Sequence, residues 1–379
     1  MEQHLFSGRV GLQQRVLPEY RRSFFDTLAK ACTGGLSVFA GQPLPQESVV
    51  TTQELGAAQY VPAVNHNFFP INWNLYHCWQ GGLLEWLEGW QPDVLIVEAN
   101  ARYPSNRMAI RWMHSRGRPV IGWGLGAPPI HSGPLPWHKL TAYWRRWERI
   151  SLLRSLDALI AYSHKGAREY RSLGLHFKEV AVALNAVSHR PTESRPPHRP
   201  LSIASPPVVL FVGRLQSRKR IDILLQACAD LPPDFQPKVW IVGDGPARED
   251  LEKLARRVYP QAEFFGAVHG PQLENIFRSA DLFVLPGTGG LAVQQAMAHA
   301  LPVIVAEGDG TQQDLVRPEN GLLIPPGDVE SLAIALQTCL SDPTQLRKMG
   351  VESFRVVMEE VNIEAMVHVF VKTLNKVLK

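Results

Sequence analysis

Apolar and polar positions alternate along this chain in a way that predicts two α/β regions. Short apolar runs, typical of buried parallel strands, are separated by segments with helical spacing of apolar residues. In the first half, the predicted strands lie near 9–13, 36–40, 93–98, 119–123, 158–162 and 180–183. The predicted helices between them lie near 20–32, 75–87, 106–115 and 165–172. This alternation predicts a parallel sheet with helices packed on its faces.

The second half opens with an apolar strand that runs directly into cationic residues. Residues 208–212 are apolar, Gly213 and Arg214 follow, and Lys219 comes five positions after the arginine. Ligands of open α/β sheets bind beyond the carboxyl ends of strands, so these cations are placed to meet an anion. Arginine offers a planar fork and lysine a compact charge, and together they suit a diphosphate. The alternative is a solvated basic helix start at residues 218–220.

A long uncharged stretch follows, because the 25 residues between Asp281 and Glu307 contain no Asp, Glu, Lys or Arg. Its length would allow a membrane span, but its prolines, glycines and glutamines argue against one. The pattern predicts a strand at 282–285, a glycine loop at 287–290, a helix at 291–300 and a strand at 302–306. Gly289 and Gly290 would then expose backbone N–H groups at a helix N-terminus, which favours an anion.

Six short motifs follow one another through this half of the chain. They are GRL-x-x-x-K from Gly213, VGDGP at 242–246, FFGAV at 264–268, SADLFVLP at 279–286, QAMAHALPVIVA at 295–306 and NGLLIPPGD at 320–328. Their order and spacing resemble the donor half of retaining glycosyltransferase family four. The resemblance implies the GT-B fold, an α/β architecture of two Rossmann-like, doubly wound parallel-sheet domains facing a central cleft. It also implies a nucleotide-diphosphate sugar as substrate, bound mainly to the second domain, with no essential metal or other cofactor.

The resemblance identifies Arg214 and Lys219 as the predicted catalytic residues. They would stabilise the charge that develops on the departing diphosphate, together with the backbone N–H groups of Gly290 and Leu291. The acceptor hydroxyl would attack from the same face, so that configuration is retained. The other predicted donor-binding residues are Gly213, Gly289, Gln295, Asp309 and Thr311.

Two positions depart from the family pattern, in which a pair of glutamates eight positions apart flanks the glycine loop. This chain has Gly287 at the first position and Gln295 at the second. Glutamine can still hydrogen-bond ribose hydroxyls, although Gln295 could instead be a helix-surface or buried structural amide. Glycine cannot replace a carboxylate. Either Asp309, Thr311 or Gln312 holds the sugar, or activity is lost.

The predicted domain boundaries follow from composition and from the resemblance. Residues 1–190 form an acceptor-binding domain, 191–206 a linker rich in Pro, Arg and Ser, 207–360 the nucleotide-sugar-binding domain, and 361–379 a helix that crosses back to the first domain. Acceptor-side candidates lie at predicted strand ends: Pro18, Arg21, Glu98, Arg102 and Trp123. Many family members have histidine where Trp123 stands, and Glu98 with Arg102 could alternatively form an ordinary loop ion pair.

Charge is distributed unevenly between the halves. Residues 1–200 carry 22 Lys+Arg against 14 Asp+Glu (+8), and the rest carry 17 against 21 (−4), which gives the overall +4. The basic half fits an anionic lipid or a phosphorylated acceptor; no nucleic-acid module occurs, and no nucleic-acid partner is expected.

The predicted helix at 137–156 interleaves tryptophan with arginine, a composition typical of membrane interfaces. Leu140, Trp144, Trp147 and Leu153 share one face. The helix contacts an anionic membrane surface, or packs this apolar stripe on the first sheet with its arginines solvated, or does both in part, packing with one edge exposed.

The remaining composition fits a two-domain enzyme of the cytoplasm, peripheral on the inner face of the membrane if that helix contacts lipid. The chain has 379 residues and 45% hydrophobic content, enough for two cores, and its four cysteines show no C-x-x-C spacing. The predicted function is retaining sugar transfer to a saccharide or lipid-linked acceptor in cell-surface polysaccharide or glycoconjugate synthesis. The alternatives are a non-catalytic GT-B partner of an active transferase and a GT-B sugar-nucleotide epimerase.

Overall fold

The computed structural model describes residues 5–47, 49–71, 73, 75–130, 136–175, 178–197 and 206–378, with 136–138 described by backbone only. The chain divides into two compact units, Met1–Val187 with Ile363–Lys379, and Ser188–Asn362. Part of the predicted linker, residues 198–205, lies outside the described residues.

The first unit contains a parallel sheet. Its strands are β1 (Val10–Val16), β2 (Leu36–Gly41), β3 (Gln59–Pro62), β6 (Val94–Glu98), β7 (Val120–Gly124), β8 (Ala158–Ala161) and β9 (Glu179–Val182), and a separate antiparallel hairpin is formed by β4 (Val64–Phe68) and β5 (His77–Gly81). The helices of this unit are α1 (Arg22–Ala31), α2 (Leu83–Trp90), α3 (Ser105–His114), α4 (Pro136–Arg154), α5 (His164–Tyr170) and α13 (Ile363–Val377). The sheet order is β3-β2-β1-β6-β7-β8-β9. Successive strands are added on one side of β1 up to β3 and on its other side from β6 onward, so the switch point lies between β1 and β6.

The β4–β5 hairpin was not predicted from the sequence. The helix expected at 75–87 begins only at Leu83, because residues 77–81 pair with 64–68 instead. Side chains of β4 alternate between exposed and half-buried, so this strand lacks the continuous apolar run that marks the strands of the main sheet. The predicted strands of the first half match β1, β2, β6, β7, β8 and β9.

The second unit contains the other parallel sheet. Its strands are β10 (Val208–Val212), β11 (Lys238–Val242), β12 (Ala262–Gly266), β13 (Leu282–Leu285), β14 (Val303–Ala306) and β15 (Gly321–Ile324). Its helices are α6 (Ile221–Ala229), α7 (Arg248–Val258), α8 (Gly270–Ser279), α9 (Leu291–Ala298), α10 (Thr311–Leu315), α11 (Val329–Ser341) and α12 (Pro343–Glu359). The order β12-β11-β10-β13-β14-β15 is 3-2-1-4-5-6 in chain order, the dinucleotide-binding arrangement, with its switch point between β10 and β13.

The uncharged stretch forms the predicted strand, loop, helix and strand. All four residues of β13 and of β14 are buried, which explains why neither strand needs a polar face. Among the described residues, no helix is long and apolar enough to cross a membrane.

In each unit, one set of contacts joins elements that are far apart in the chain. In the second unit, the carboxylate of Asp281 accepts hydrogen bonds from the backbone N–H of Val208 and from Arg347 (3.0 and 2.6 Å), so a buried ion pair joins the start of β10 to α12. In the first unit, Phe370 of α13 packs edge-on against Phe24 and Trp123, with ring centroids 5.0 and 5.1 Å away. The C-terminal helix therefore completes the core of the first unit.

Candidate functional site

In the second unit, the loops that follow β10 and β13 are tied together at the switch point. Lys219 Nζ donates a hydrogen bond to the carbonyl oxygen of Thr288 (2.7 Å), and Thr288 N donates to the carbonyl oxygen of Arg218 (3.0 Å). The glycine loop at 287–290 therefore lies directly against the cationic turn. Ligands of such sheets bind beyond this point, where the carboxyl ends of the two strands diverge.

Lys219 is held in an environment that disfavours its own charge. Burial, and to a lesser extent the positive charge of Arg218, lowers the pKa of Lys219 to about 8. An anion bound beside the ammonium group would reverse this shift, because an opposite charge within a few ångströms favours the protonated form. The charged form of such a lysine would be stabilised by a bound anion more than by the surrounding protein.

Two positions of the loop favour glycine, Gly287 because of a close backbone approach and Gly289 because of a positive φ. A Cβ atom at Gly287 would meet the carbonyl oxygen of Arg218 and lie 2.6 Å from that of Lys219. Gly289 has φ +136°, and a Cβ there would meet Lys219 Nζ. Position 287 therefore cannot hold a side chain such as glutamate unless the loop moves.

The loop that follows β14 contacts the glycine loop. Gln312 Nε2 donates to the carbonyl oxygen of Gly289 (2.8 Å), and Thr311 Oγ1 would lie 3.8 Å from a Cβ at Gly290. Asp309 accepts hydrogen bonds from the N–H and hydroxyl of Thr311 at 3.0 and 2.7 Å. The buried Gln312 Oε1 has no hydrogen-bond partner among the described residues. Gln312 and Thr311 thus lie against the two glycines that precede α9, which begins at Leu291, and Asp309 holds Thr311.

The two neighbouring glutamines of α9 play different parts. Gln294 is buried; its Nε2 donates to the carbonyl oxygen of Val361 (2.6 Å) and its Oε1 accepts from Ser188 N (3.1 Å). Gln295 is exposed. The buried structural amide is therefore Gln294, and Gln295 keeps its predicted ribose contact as a prediction. Arg214 is exposed after the end of β10.

In the first unit, the acceptor-side candidates separate into two groups. Glu98, Arg102 and Trp123 line one cavity of about 530 Å³ at the carboxyl ends of β6 and β7. Arg21 lies behind it, nearly buried, with its guanidinium carbon 4.8 Å from the Trp123 ring centroid. Pro18 instead pairs with Thr51 in an isolated bridge and is not among the described residues that line the cavity.

Glu98 is oriented by the protein backbone. Its Oε1 accepts a hydrogen bond from Arg15 N (2.6 Å), and burial raises its pKa above the ordinary value against the opposing effect of Arg15. In the described segments of the chain, Glu98 and Arg102 do not form a salt bridge with each other, so the alternative of an ordinary loop ion pair is wrong.

The structure does not pack the apolar stripe of α4 on the first sheet, as the packing alternative predicted. Leu140, Trp144 and Trp147 are 70%, 42% and 59% exposed, whereas Leu153 is buried. Arg145 and Arg149, one turn apart, line the cavity with Arg102. Leu140, Trp144 and Trp147 therefore face outward, whereas Leu153, which lies about 120° around the helix from Trp147, packs inward on a different side. The i, i+4 spacing of the two arginines was the sequence signal for their shared direction, but it did not indicate which side faces the sheet.

Comparisons of sequence locate a family domain in the second unit. Residues 206–342 match the family model described as Glycosyl transferases group 1. Sulfoquinovosyl transferase of Arabidopsis thaliana is 36% identical over 142 residues, which cover 36% of this chain and 27% of that protein. The lipopolysaccharide core biosynthesis glycosyltransferase LpsE of Rhizobium meliloti is 24% identical over 275 residues, 70% of this chain and 79% of that protein. The uncharacterized glycosyltransferase MJ1607 of Methanocaldococcus jannaschii is 32% identical over 140 residues, which cover 36% of this chain and 36% of that protein. The chain therefore spans about a third of the length of sulfoquinovosyl transferase and of MJ1607.

Comparisons of structure extend over nearly the whole chain. Sucrose-phosphate synthase from Thermosynechococcus elongatus matches with a TM-score of 0.71 and 18% identity, covering 97% of this chain and 98% of that one. Anabaena HepE in complex with UDP matches with a TM-score of 0.69 and 17% identity, covering 97% and 99%. Both sequence and structure thus agree with the predicted fold class: the chain has the GT-B fold of two Rossmann-like domains, and its second unit carries a domain similar to group 1 glycosyltransferases.

Proposed function

We propose that this chain is a retaining glycosyltransferase that moves a sugar from a nucleotide-diphosphate donor to a saccharide or lipid-linked acceptor. One observation carries the proposal. Lys219, the glycine loop and the start of α9 converge at the β10–β13 switch point, within the segment that matches the group 1 model. A partly desolvated cation beside a helix N-terminus is an arrangement suited to a departing diphosphate.

The chemistry expected of this site is electrostatic. As the glycosidic bond to the diphosphate breaks, negative charge grows on the leaving oxygen, where Lys219 and Arg214 would meet it. The backbone N–H groups of Gly290 and Leu291 would add fixed dipoles. The sugar would develop oxocarbenium character, and the acceptor hydroxyl would attack from the face that the diphosphate leaves, which retains configuration.

The similar proteins support a choice of donor and pathway class. HepE is described in complex with UDP and with UDP-glucose, and LpsE by name serves lipopolysaccharide core biosynthesis. We therefore propose a uridine-diphosphate sugar as the first donor to test and an acceptor from cell-surface polysaccharide or glycoconjugate synthesis.

A donor panel tests this proposal. Thermal unfolding of the purified chain with UDP-, GDP- and ADP-sugars should show stabilisation by one donor class, because a ligand that binds only the folded state raises its stability by mass action. Release of the nucleoside diphosphate in the presence of an acceptor extract should accompany a product whose mass rises by one sugar residue. Release of nucleoside diphosphate with an epimerised free sugar would favour the epimerase alternative instead.

A second candidate is a non-catalytic partner of an active transferase. Gly287 favours it, since the loop geometry excludes a side chain where the resemblance implies a glutamate near the donor sugar. The same assay separates the two: donor binding without turnover, across all donors and with the acceptor extract, would support the partner function.

We further propose that α4 contacts an anionic membrane surface, which would make the protein peripheral on the inner face of the cell membrane. Leu140, Tyr143, Trp144 and Trp147, here called the aromatic ridge, are all exposed and lie within one face of the helix. The exposed Lys139 and Arg146 flank the ridge. Tryptophan beside basic side chains is typical of helices that lie in the headgroup region.

The hairpin extends this surface. Phe69 and Trp73 stack with ring centroids 6.4 Å apart and are more than half exposed, and His77 of β5 lies 6.3 Å from the Trp144 ring. An exposed apolar surface of this kind is unusual on a protein that meets only water.

Vesicle sedimentation tests the membrane contact. The parent protein should bind phosphatidylglycerol vesicles more strongly than phosphatidylcholine vesicles, and replacing Trp144 and Trp147 together with serine should release it. Arg146→Glu should weaken binding by about 1 kcal/mol or more near an anionic surface. Ile334→Ser, which alters an equally exposed apolar residue of α11, is the matched control. Equal binding by the double tryptophan variant and the parent would refute the contact.

A further inference from the structure

The cavity of the first unit concentrates positive charge. Arg102, Arg145 and Arg149 all line it, at the carboxyl ends of β6 and β7 and along the inward side of α4. Burial, and then the charge of Arg102, lowers the pKa of Arg145; burial, Arg145 and Arg102 lower that of Arg149. The three guanidinium groups are therefore close enough to repel one another.

The carboxylates that line the cavity do not pair with Arg102 or Arg149. Glu98 accepts a hydrogen bond from Arg15 N. Burial raises the pKa of Glu148, against the opposing effect of the charges of His77 and Arg107. Within the part of the chain that the structure describes, neither Arg102 nor Arg149 has a carboxylate within salt-bridge distance; Arg149 donates to the carbonyl oxygen of Pro128 (2.6 Å). Like charges gathered in a partly desolvated pocket cost stability unless an anion joins them.

Arginine forks also indicate which anion fits. Each guanidinium can grip two oxygens in parallel, so three forks can engage more acceptor atoms than one carboxylate offers, and a phosphate or diphosphate supplies them. The volume of about 530 Å³ exceeds what an inorganic phosphate fills and leaves room for a sugar.

The cavity adjoins the aromatic ridge. His77 lines the cavity and lies against Trp144, and Leu125, another lining residue, is half exposed. A ligand whose anionic group lies among the arginines could therefore extend an apolar chain past His77 to Trp144 and the rest of the ridge.

We propose that this cavity binds the phosphate or diphosphate of an amphiphilic acceptor, through Arg102, Arg145 and Arg149, with the acceptor's apolar chain lying along the aromatic ridge. The assignment rests on the proposed transferase function for its meaning as an acceptor site. The shared chemistry is a phosphate ester on an apolar chain, whether the source is an isoprenoid diphosphate or a membrane phospholipid.

Binding without turnover tests the proposal. Affinities of farnesyl diphosphate, farnesol, inorganic diphosphate and dihexanoyl-phosphatidylglycerol are measured by calorimetry in Lys219→Ala, which weakens competing diphosphate binding at the donor loop. Farnesyl diphosphate or the phospholipid should bind about 10-fold or more tightly than farnesol or inorganic diphosphate, because each of the latter lacks one half of the recognised chemistry. The stronger of the two amphiphiles identifies the source.

Variants of the cavity complete the test. Arg102→Ala and Arg149→Ala should each weaken amphiphile binding about 10-fold or more, and Arg149→Lys should recover part of the loss because charge remains while the fork is gone. Arg154→Ala, an exposed arginine of the same helix, should bind as the parent does. Unchanged binding in Arg102→Ala and Arg149→Ala, or farnesol binding as tightly as farnesyl diphosphate, would overturn the assignment. Amphiphile binding that depends on both arginines, in a protein that never releases nucleoside diphosphate, would retain the site and reject the transferase function.

Discussion

The two proposed anion sites, one in each unit, are built in opposite ways. In the second unit the site is made mostly of backbone: a glycine loop, a helix start and one lysine whose Nζ is already hydrogen-bonded to Thr288. In the first unit three arginine side chains converge on a cavity from two separate elements. Backbone sites leave a sequence motif because the chain must bend in a set way, whereas side-chain sites depend on which helix face turns inward.

The largest effect should come from removing the cation at the backbone site. Lys219→Ala and Arg214→Ala should each reduce turnover by about 10²-fold or more, with a smaller loss of donor affinity, because charge on the diphosphate is greatest in the transition state. Steady-state kinetics with a saturating donor measure this. Lys253→Ala, an exposed lysine of α7 paired with Glu249, should match the parent. Turnover equal to that of the parent in both variants would contradict the placement of the diphosphate at this loop.

The next largest effect concerns the glycine loop itself. Gly287→Ala should lower the free energy of unfolding by about 1–3 kcal/mol and reduce turnover, since its Cβ has no room beside Arg218 and Lys219. Chemical denaturation of parent and variant measures the loss. Gly89→Ala in α2 is the control, because a Cβ there meets nothing within 4 Å and alanine favours a helix. If Gly287→Ala were as stable as the parent, the close approach of the two loops would be wrong.

This contrast explains how much could be predicted from the sequence. The strand at 208–212, the glycine loop and the helix at Leu291 could be predicted because buried parallel strands read as apolar runs and glycines mark the turns between them. Residue Gln295 was placed on the right helix, but its buried neighbour Gln294 was not distinguished from it.

The first unit was less predictable for a physical reason. Helix α4 could be predicted, yet Leu140, Trp144 and Trp147 face outward and only Leu153 is buried, and which side of a helix packs inward is decided by tertiary contacts that no local pattern records. The β4–β5 hairpin was missed because its strands are short and partly exposed, although both their pairing and the exposed Phe69 and Trp73 shape the proposed membrane surface.

A smaller effect separates the two glutamines of α9. Gln295→Ala should weaken nucleotide binding by about 1 kcal/mol without changing the melting transition, and Gln295→Glu should bind equally or more tightly, because an ionised acceptor strengthens bonds to ribose hydroxyls. Calorimetric titration with UDP measures both. Gln294→Ala serves as the contrast, since it should lower stability by leaving the Val361 carbonyl and the Ser188 N–H without their partner. Unaltered UDP binding by Gln295→Ala would limit Gln295 to the helix surface.

The smallest expected effect concerns the neighbour that helps to set the pKa of Lys219. Arg218→Ala removes a nearby positive charge and should raise that pKa slightly, as expected for a partly screened interaction. The alkaline limb of donor binding should move to higher pH by the same amount. A shift to lower pH would contradict the sign of the interaction.

Proton uptake on nucleotide binding tests the central claim most directly. Because the pKa of Lys219 is lowered to about 8 in the free protein, a bound diphosphate should raise it, so that UDP binding takes up protons and weakens as pH rises above 8. Calorimetry between pH 7 and 9.5, in buffers of different ionisation enthalpy, should show uptake rising toward about one proton per UDP. Lys219→Arg, which stays charged throughout this range, should show none. The same uptake in Lys219→Arg as in the parent, or no uptake in the parent, would contradict the placement of the diphosphate at Lys219.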